Sequence, residues 1–197
     1  IELWAYPILG GEPKKISTAD MGRSSLLVSA FPPGAYGPQP SANNSELFFS
    51  AASPRHHGAA AGPSAAIMKV DLQSGTASPV TDNSAPAFKP LLSDDGHWLA
   101  FATVHNNKTG LRLRNLMTSE ERWLVQDIGF NALESWASRD LLPGFAFTPA
   151  NDSLVIAYGG KIHLVGLSNG QVTPIPFNAN ITICLLYTSP SPRDPIG

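Results

Sequence analysis

Five histidines are the residues of this sequence best suited to metal binding or acid–base chemistry: His56, His57, His97, His105 and His163. A metal site needs several ligands that converge on one point. His56 and His57 lie in a loop rich in glycine, alanine and proline without a nearby carboxylate. The other three follow a turn, end a predicted strand or alternate with apolar residues. We therefore predict that all five are surface residues and that this chain holds no cofactor.

The sequence lacks the motifs that mark a catalytic nucleophile or a phosphate-binding loop. It contains neither Gly-x-Ser-x-Gly nor a glycine-rich P-loop. Its only cysteine, Cys184, lies in a C-terminal segment that differs from the rest of the chain. The sequence Asp94-Asp95-Gly96 lacks the alternate ligand spacing of a calcium loop and is predicted to form a hairpin turn. We therefore predict no catalytic residue and no metal ligand in this chain.

Composition indicates which kind of fold must position these residues. Charged residues make up 14% of the 197 residues, hydrophobic residues 43%, and there are 17 glycines and 18 prolines. This balance is typical of many short strands joined by tight turns, and it excludes a helical bundle or a coiled coil. The net charge of -2, without a basic cluster, argues against nucleic acid as a partner. No apolar run approaches the roughly 18 residues that a membrane span needs.

One pattern of short apolar strands and tight turns recurs along the chain. Turns at positions 11, 75, 120 and 170 are 64, 45 and 50 residues apart. A period of about 40–45 residues with four strands per unit is the sequence signature of propeller blades. We therefore predict an all-β fold, a partial (open) β-propeller of about three and a half four-stranded blades. The alternative is an antiparallel sandwich, which also uses short strands and glycine turns.

The repeat also predicts domain boundaries and a core. We expect one incomplete propeller over residues 1–183, with blades at roughly 1–18, 36–81, 85–126 and 143–177, and a short helix between blades within 131–139. Six apolar residues recur at equivalent places in the units and are expected to lie between blades: Phe48, Trp98, Leu99, Phe101, Leu154 and Ile156.

One repeat carries a motif that resembles a known family. Residues 93–101, Ser-Asp-Asp-Gly-His-Trp-Leu-Ala-Phe, are similar to the Ser-Pro-Asp-Gly-x-x-Ile-Ala-Phe motif of TolB-like, WD-repeat-related β-propellers, with Asp94 in place of proline. The equivalent segments 41–45 and 148–152 lack the glycine. The resemblance covers residues 1 to about 180. It implies a six-bladed ring, a periplasmic or secreted protein, and a role in scaffolding or protein recognition.

A narrower resemblance concerns the last blade. Residues 139–149, 158–162 and 175–177 are similar to the end of the propeller that precedes the catalytic barrel in a class of bacterial amidohydrolases. This resemblance implies a downstream metal-dependent hydrolase barrel with a His-x-His motif and a divalent metal such as zinc. That motif is absent from this sequence. The parent protein is therefore either an enzyme of this kind or a stand-alone binding propeller.

Arg139 and Asp140 are the candidate ligand residues of the chain. They precede a predicted innermost strand, and the loops at strand starts converge on the mouth of a propeller's channel. The alternative is a solvated charge pair in a loop between blades. The expected partners are further blades of the same protein, a C-terminal catalytic domain, and a protein or small-molecule ligand at the channel.

The C-terminal segment does not continue the repeat. Residues 184–194 read Cys-Leu-Leu-Tyr-Thr-Ser-Pro-Ser-Pro-Arg-Asp and resemble the translation of a transposase sequencing adapter. We expect residues 184–197 to be a disordered artefact, although a genuine proline-rich tail would read similarly. The sequence also opens inside a predicted strand without an initiator Met. We therefore expect the chain to be a piece of a longer protein.

Overall fold

The computed structural model describes residues 2–18, 34–52, 65–82, 84–130 and 142–178. These residues form strands joined by turns and contain no helix. The described strands, in chain order, are β1 (Glu2–Ala5), β2 (Lys14–Thr18), β3 (Gly34–Pro40), β4 (Glu46–Ala52), β5 (Ala65–Asp71), β6 (Ala77–Pro79), β7 (Ala87–Leu92), β8 (Trp98–His105), β9 (Lys108–Asn115), β10 (Glu121–Phe130), β11 (Phe145–Phe147), β12 (Ser153–Tyr158), β13 (Lys161–Gly166) and β14 (Val172–Ile175).

The strands form separate antiparallel sheets, each made of strands that are consecutive in the chain. Strands β1 and β2 form a two-stranded sheet, here named half-blade A. Strands β3–β6, β7–β10 and β11–β14 form the four-stranded blades B, C and D. Each blade is a simple meander in which every strand pairs with the next one along the chain. The prediction of an open propeller of about three and a half blades is therefore confirmed.

Tight turns with a shared chemistry connect the first and second strands of the blades. In blade C the amide of Gly96 donates to the carbonyl of Ser93 at 3.0 Å, and Gly96 has a φ of 72°. Asp95 accepts hydrogen bonds from the Ser93 hydroxyl at 2.5 Å and from the His97 amide at 3.0 Å. The carboxylate thus satisfies turn amides and hydroxyls. The predicted hairpin turn at this segment is confirmed.

Apolar side chains fill the space between successive sheets. Phe49, Ala51 and Val70 of blade B pack with Ile16 of half-blade A. The other two interfaces are larger. The buried residues between blades B and C are Phe48, Ile67, Ala87, Leu99 and Phe101. The buried residues between blades C and D include Ala100, Ala102, Leu111, Leu113, Leu124, Leu154, Ile156, Val165 and Leu167. Blades B and C therefore each bury both of their faces against different neighbours.

All six predicted core residues lie at an interface between blades, and five of them are buried. Phe48, Leu99, Phe101, Leu154 and Ile156 are all buried between blades. Trp98 is only half-buried at the margin of the interface between blades C and D. It is the first residue of β8 and directly follows the exposed turn, so only part of its indole reaches the core. Removal of this side chain should therefore cost less than removal of a fully buried one.

Some sequence predictions concern residues that the structure does not describe. The helix expected within 131–139 and the artefact expected at 184–197 both lie outside the described residues. Among the residues that are described, none belongs to a helix with the length and apolar character that crossing a bilayer would require.

Candidate functional site

In a propeller the innermost strands of the blades line the central channel, where ligands bind. In β3 the pairing with β4 is interrupted between Tyr36 and Gln39, and in β7 the pairing with β8 is interrupted between Phe88 and Leu91. Both interruptions contain a residue with positive φ followed by proline. β-bulges of this kind redirect the backbone and often lie beside functional sites.

Lys89 is the residue with positive φ in β7, with a φ of 54°. The equivalent residue in β3 is Gly37, with a φ of 59°. Glycine adopts this conformation without penalty, whereas another residue costs about 1–2 kcal/mol. Such strain persists only where the surrounding contacts hold it in place. Lys89 must therefore be held by specific neighbours.

Those neighbours belong to the two adjoining blades. The Lys89 amide donates a hydrogen bond of 2.8 Å to Oγ of Ser50 in blade B. The Lys89 ammonium donates a hydrogen bond of 2.7 Å to the carbonyl of Leu142, just before the first strand of blade D. One half-buried lysine on the innermost strand thus connects three consecutive blades.

Sequence reasoning missed Lys89, although the sequence carries a signal for it. Residues 35–38 read Ala-Tyr-Gly-Pro and residues 87–90 read Ala-Phe-Lys-Pro. The alignment places lysine where the sister blade uses glycine, which marks a position with positive φ. The predicted ligand residues Arg139 and Asp140 lie outside the described residues, so their role at the channel mouth stays a prediction.

Three of the five histidines, His97, His105 and His163, lie within the described residues. His97 is exposed, with Nδ1 3.2 Å from Oδ2 of Asp95. His105 is exposed at the end of β8, with its ring centroid 5.8 Å from that of Trp123. In the described part of the chain, no three His, Cys, Asp or Glu side chains converge as metal ligands. His56 and His57 lie outside that part.

His163 departs from its predicted surface position. It lies on β13, on the face of blade D that packs against blade C, because it pairs with the buried Ile156. Its ring stacks on Tyr158 with a centroid distance of 4.1 Å. Its Nδ1 atom is buried without a hydrogen-bond partner. Burial also raises the pKa of Tyr158. This pair is therefore part of the interface between blades and not of the solvated surface.

A charged network lies on the face of blade C that packs against blade B. Glu121 binds Arg114 at 2.7 Å and Arg112 at 3.3 Å, and all three side chains are largely shielded from solvent. The Ser84 hydroxyl lowers the pKa of Asp82, and the charges of Arg112 and Arg114 lower it further. The two arginines are therefore balanced by carboxylates inside the blade and on the segment that enters it.

Carboxylates in the turns and hairpins are charged and structural. Hydrogen bonds lower the pKa of three of these carboxylates. The main donor is the Ser74 amide for Asp71 and the Ser93 hydroxyl for Asp95. For Asp127 the main donor is the Lys108 ammonium. A general acid or base works best with a pKa near the pH of the reaction. These three carboxylates are instead shifted away from neutral pH. The geometry suits fixed hydrogen-bond acceptors and not proton transfer.

Solved structures with the same fold include TolB proteins and a hydrolase. The chain is similar to TolB from Acinetobacter baumannii, with 17% identity and a TM-score of 0.58 over 89% of this chain and 37% of that one. Putative TolB from Agrobacterium tumefaciens has 15% identity and a TM-score of 0.55 over 88% of this chain and 55% of that one. Puromycin hydrolase has 14% identity and a TM-score of 0.59 over 90% of this chain and 27% of that one.

The chain spans between about a quarter and just over a half of the length of these three structures. No family model and no curated protein sequence matches it. At these identities the similarity concerns the fold alone. Together with the sheet topology, it establishes that this chain has the fold of a partial, open TolB-like β-propeller.

Proposed function

We propose that this chain is a non-catalytic scaffold and recognition domain of a TolB-like propeller protein. The observation that carries the proposal is Lys89, whose hydrogen bonds to Ser50 and Leu142 tie blades B, C and D together at the channel wall. A strained, rigid inner wall presents channel residues in fixed positions, as a recognition surface requires. The partner is a protein or small molecule that enters the channel, and Arg139 and Asp140 are its proposed contacts.

The carboxylates of the blades support this role. Asp71 and Asp95 accept hydrogen bonds from turn amides, and Glu121 balances two arginines. Each of these groups thus has a structural task within its own blade. We propose that any chemistry of the parent protein takes place on another domain, and that the parent is exported to the periplasm.

The rival functions are the propeller of a metal-dependent amidohydrolase and a stand-alone binding propeller. The similarity to puromycin hydrolase covers 27% of that enzyme, so a propeller of this fold can occur within a hydrolase. Sequencing the gene beyond the end of the last blade would distinguish between these functions. A downstream barrel with a His-x-His motif would favour the amidohydrolase, and a downstream Gly-x-Ser-x-Gly motif would favour a serine hydrolase. A stop codon after the last blade would favour a stand-alone binding propeller.

The scaffold role of Lys89 is tested with two substitutions. Lys89→Ala removes the ammonium and keeps the unfavourable φ, whereas Lys89→Gly removes the ammonium and relieves the strain. We expect Lys89→Ala to lower the free energy of unfolding by about 2 kcal/mol and Lys89→Gly by about 1 kcal/mol, measured by urea denaturation. If both substitutions raised stability, Lys89 would be strained for ligand binding or catalysis, and the scaffold proposal would fail. Ester or peptide hydrolysis by the purified chain above a heat-denatured control would also contradict it.

A further inference from the structure

The turns that join the third and fourth strands of blades B, C and D share one backbone pattern. In blade B the amide of Gly75 donates to the carbonyl of Asp71 at 2.8 Å, and in blade D the amide of Gly170 donates to that of Gly166 at 2.9 Å. The equivalent donor in blade C is Ser119, which bonds at 2.9 Å to the residue four positions before it. All three donors have a positive φ. The three turns are therefore equivalent in structure.

The first residue of this turn caps it in two of the three blades. In blade B, Oδ1 of Asp71 accepts hydrogen bonds from two amides of the turn, at 3.0 and 2.6 Å. In blade C, Oδ1 of Asn115 accepts two equivalent bonds, at 2.8 and 3.0 Å. Blade D has Gly166 at this position, which has no side chain to supply such a cap.

Asn169 supplies the side-chain oxygen of the turn in blade D. Its Oδ1 atom accepts a hydrogen bond of 2.9 Å from the amide of Gln171. A Cβ on Gly166 would lie 2.8 Å from this oxygen, which is too close for a real contact. The exposed Asn169 side chain thus folds over a position that must be glycine. The turn of blade D therefore depends on an asparagine that its sister turns do not use.

Asn169 and Gly170 form the only Asn-Gly pair among the 197 residues. An asparagine before glycine can deamidate, because glycine has no side chain to hinder the approach of its backbone nitrogen. Solvent hydroxide takes the proton of the Gly170 amide, and the nitrogen bonds to Cγ of Asn169. The Cγ–Nδ2 bond then breaks, and Nδ2 leaves as ammonia. Water opens the resulting succinimide to give aspartate or isoaspartate.

The native turn engages both groups that must react. The N–H of Gly170, which must lose its proton, is bonded to the carbonyl of Gly166. The side-chain amide of Asn169, which is attacked, is bonded to the amide of Gln171. The reaction competes with both hydrogen bonds, so it requires the turn to open. Local opening of this kind costs less free energy than unfolding of the whole chain.

We propose that Asn169 is a latent deamidation site that reacts when the outer hairpin of blade D opens. This inference rests on the fold and not on the proposed function. The aspartate product keeps a side-chain oxygen that can accept from Gln171. The isoaspartate product adds a methylene to the main chain between Gly166 and Gln171, whose amide and carbonyl are bonded at 3.0 Å. Isoaspartate therefore shifts the register between β13 and β14, and β14 separates from the blade.

The rate of deamidation with and without guanidinium chloride tests the proposal. Peptide mapping by mass spectrometry measures the loss of the Asn169 amide and separates the aspartate and isoaspartate products. Because two hydrogen bonds must open first, we expect the reaction to be at least tenfold slower in buffer than in denaturant. Asn115, which caps the equivalent turn of blade C but precedes a leucine, should stay intact in both solutions. Equal rates at Asn169 in the two solutions would overturn the proposal.

Two glycine substitutions in blade D separate the role of the turn from a general effect. Gly166→Ala places a Cβ against Oδ1 of Asn169 and should displace this side chain from Gln171. Gly144→Ala is the matched control, because a Cβ there would have no atom within 4 Å. In buffer, Gly166→Ala should deamidate at least threefold faster than the unsubstituted chain, through loss of one hydrogen bond. Gly144→Ala should deamidate at the unsubstituted rate, and equal acceleration in both variants would overturn the proposal.

Amide hydrogen exchange tests the consequence for β14. The strand pairs with β13 alone, from Val172 opposite Val165 to Ile175 opposite Ile162. After separation of the products, exchange in β14 should be at least fivefold faster in the isoaspartate form than in the aspartate form. Exchange in β9 of blade C should be the same in both. Equal exchange of β14 in the two forms would contradict its separation from the blade. These measurements use the unsubstituted chain, so they hold even if Gly166→Ala does not fold.

Discussion

The interface between blades B and C and the interface between blades C and D use the same backbone repeat but different side chains. Their inner parts are alike, with Leu99 and Phe101 in one and Leu154 and Ile156 in the other. Their outer parts differ, because blade C presents arginines toward blade B, whereas blade D presents His163 and Val165 toward blade C.

The difference shows how one fold tolerates charge between its sheets. The two arginines do not depend on the neighbouring blade, since Glu121 on the adjacent strand binds both of them. Arg112 also lies 5.6 Å from the ring centroid of Trp123, a favourable cation–π distance. Gly110 leaves room for this indole, since a Cβ there would lie 2.8 Å from Trp123 Cζ3. A blade face can therefore carry charge when its own sheet neutralises it.

The largest expected effect tests the similarity of the inner parts. Leu99→Ala and Leu154→Ala each remove a fully buried side chain at an equivalent position in the two interfaces. Each should lower the free energy of unfolding by about 3 kcal/mol, through lost burial and the cavity left behind. Urea denaturation monitored by tryptophan fluorescence measures the free energy of unfolding of both variants. A difference of more than about 1.5 kcal/mol between the two variants would show that the inner parts are not equivalent.

An intermediate effect is expected from the charged outer part. Glu121→Gln leaves Arg112 and Arg114 without their shared carboxylate and should cost about 1–2 kcal/mol, since the three side chains are largely but not fully shielded from solvent. The loss should be smaller in 1 M salt, where ionic interactions are screened. Glu46→Gln, which removes the more exposed pair with Lys69, is the matched control and should cost under about 0.5 kcal/mol. Equal losses in both variants would mean that burial adds nothing to the Glu121 network.

The smallest expected effect on stability concerns the stacked pair of His163 and Tyr158 in the interface between blades C and D. His163→Phe keeps a ring that can stack on Tyr158 and removes the buried Nδ1 atom that lacks a partner. We expect this variant to be more stable by about 1 kcal/mol, because an unsatisfied buried polar atom costs about 1–3 kcal/mol. Tyr158→Phe keeps the ring stack and serves as the control. A less stable His163→Phe protein would indicate that Nδ1 makes a hydrogen bond, for example to water.

The sequence by itself determined the strands, the turns and most of the core. Glycine, asparagine and aspartate adopt turn conformations from local preference, which is why the turn at Asp95 and Gly96 could be predicted. Apolar residues recur at equivalent places in the repeating units, which is why Leu99 and Phe101 were assigned correctly to an interface. The predicted ligand residues Arg139 and Asp140 lie outside the described residues, so the sequence remains the basis for that site.

Only the tertiary structure decided which faces are covered and how far along each strand the cover extends. Trp98 is half-buried because it begins its strand beside a turn. His163 is half-buried and not exposed because its face of β13 packs against blade C. Lys89 joins three blades through atoms of Ser50 and Leu142, 39 and 53 residues away in the chain. Periodicity describes one strand at a time, but burial and long-range hydrogen bonds depend on where the neighbouring sheets are placed.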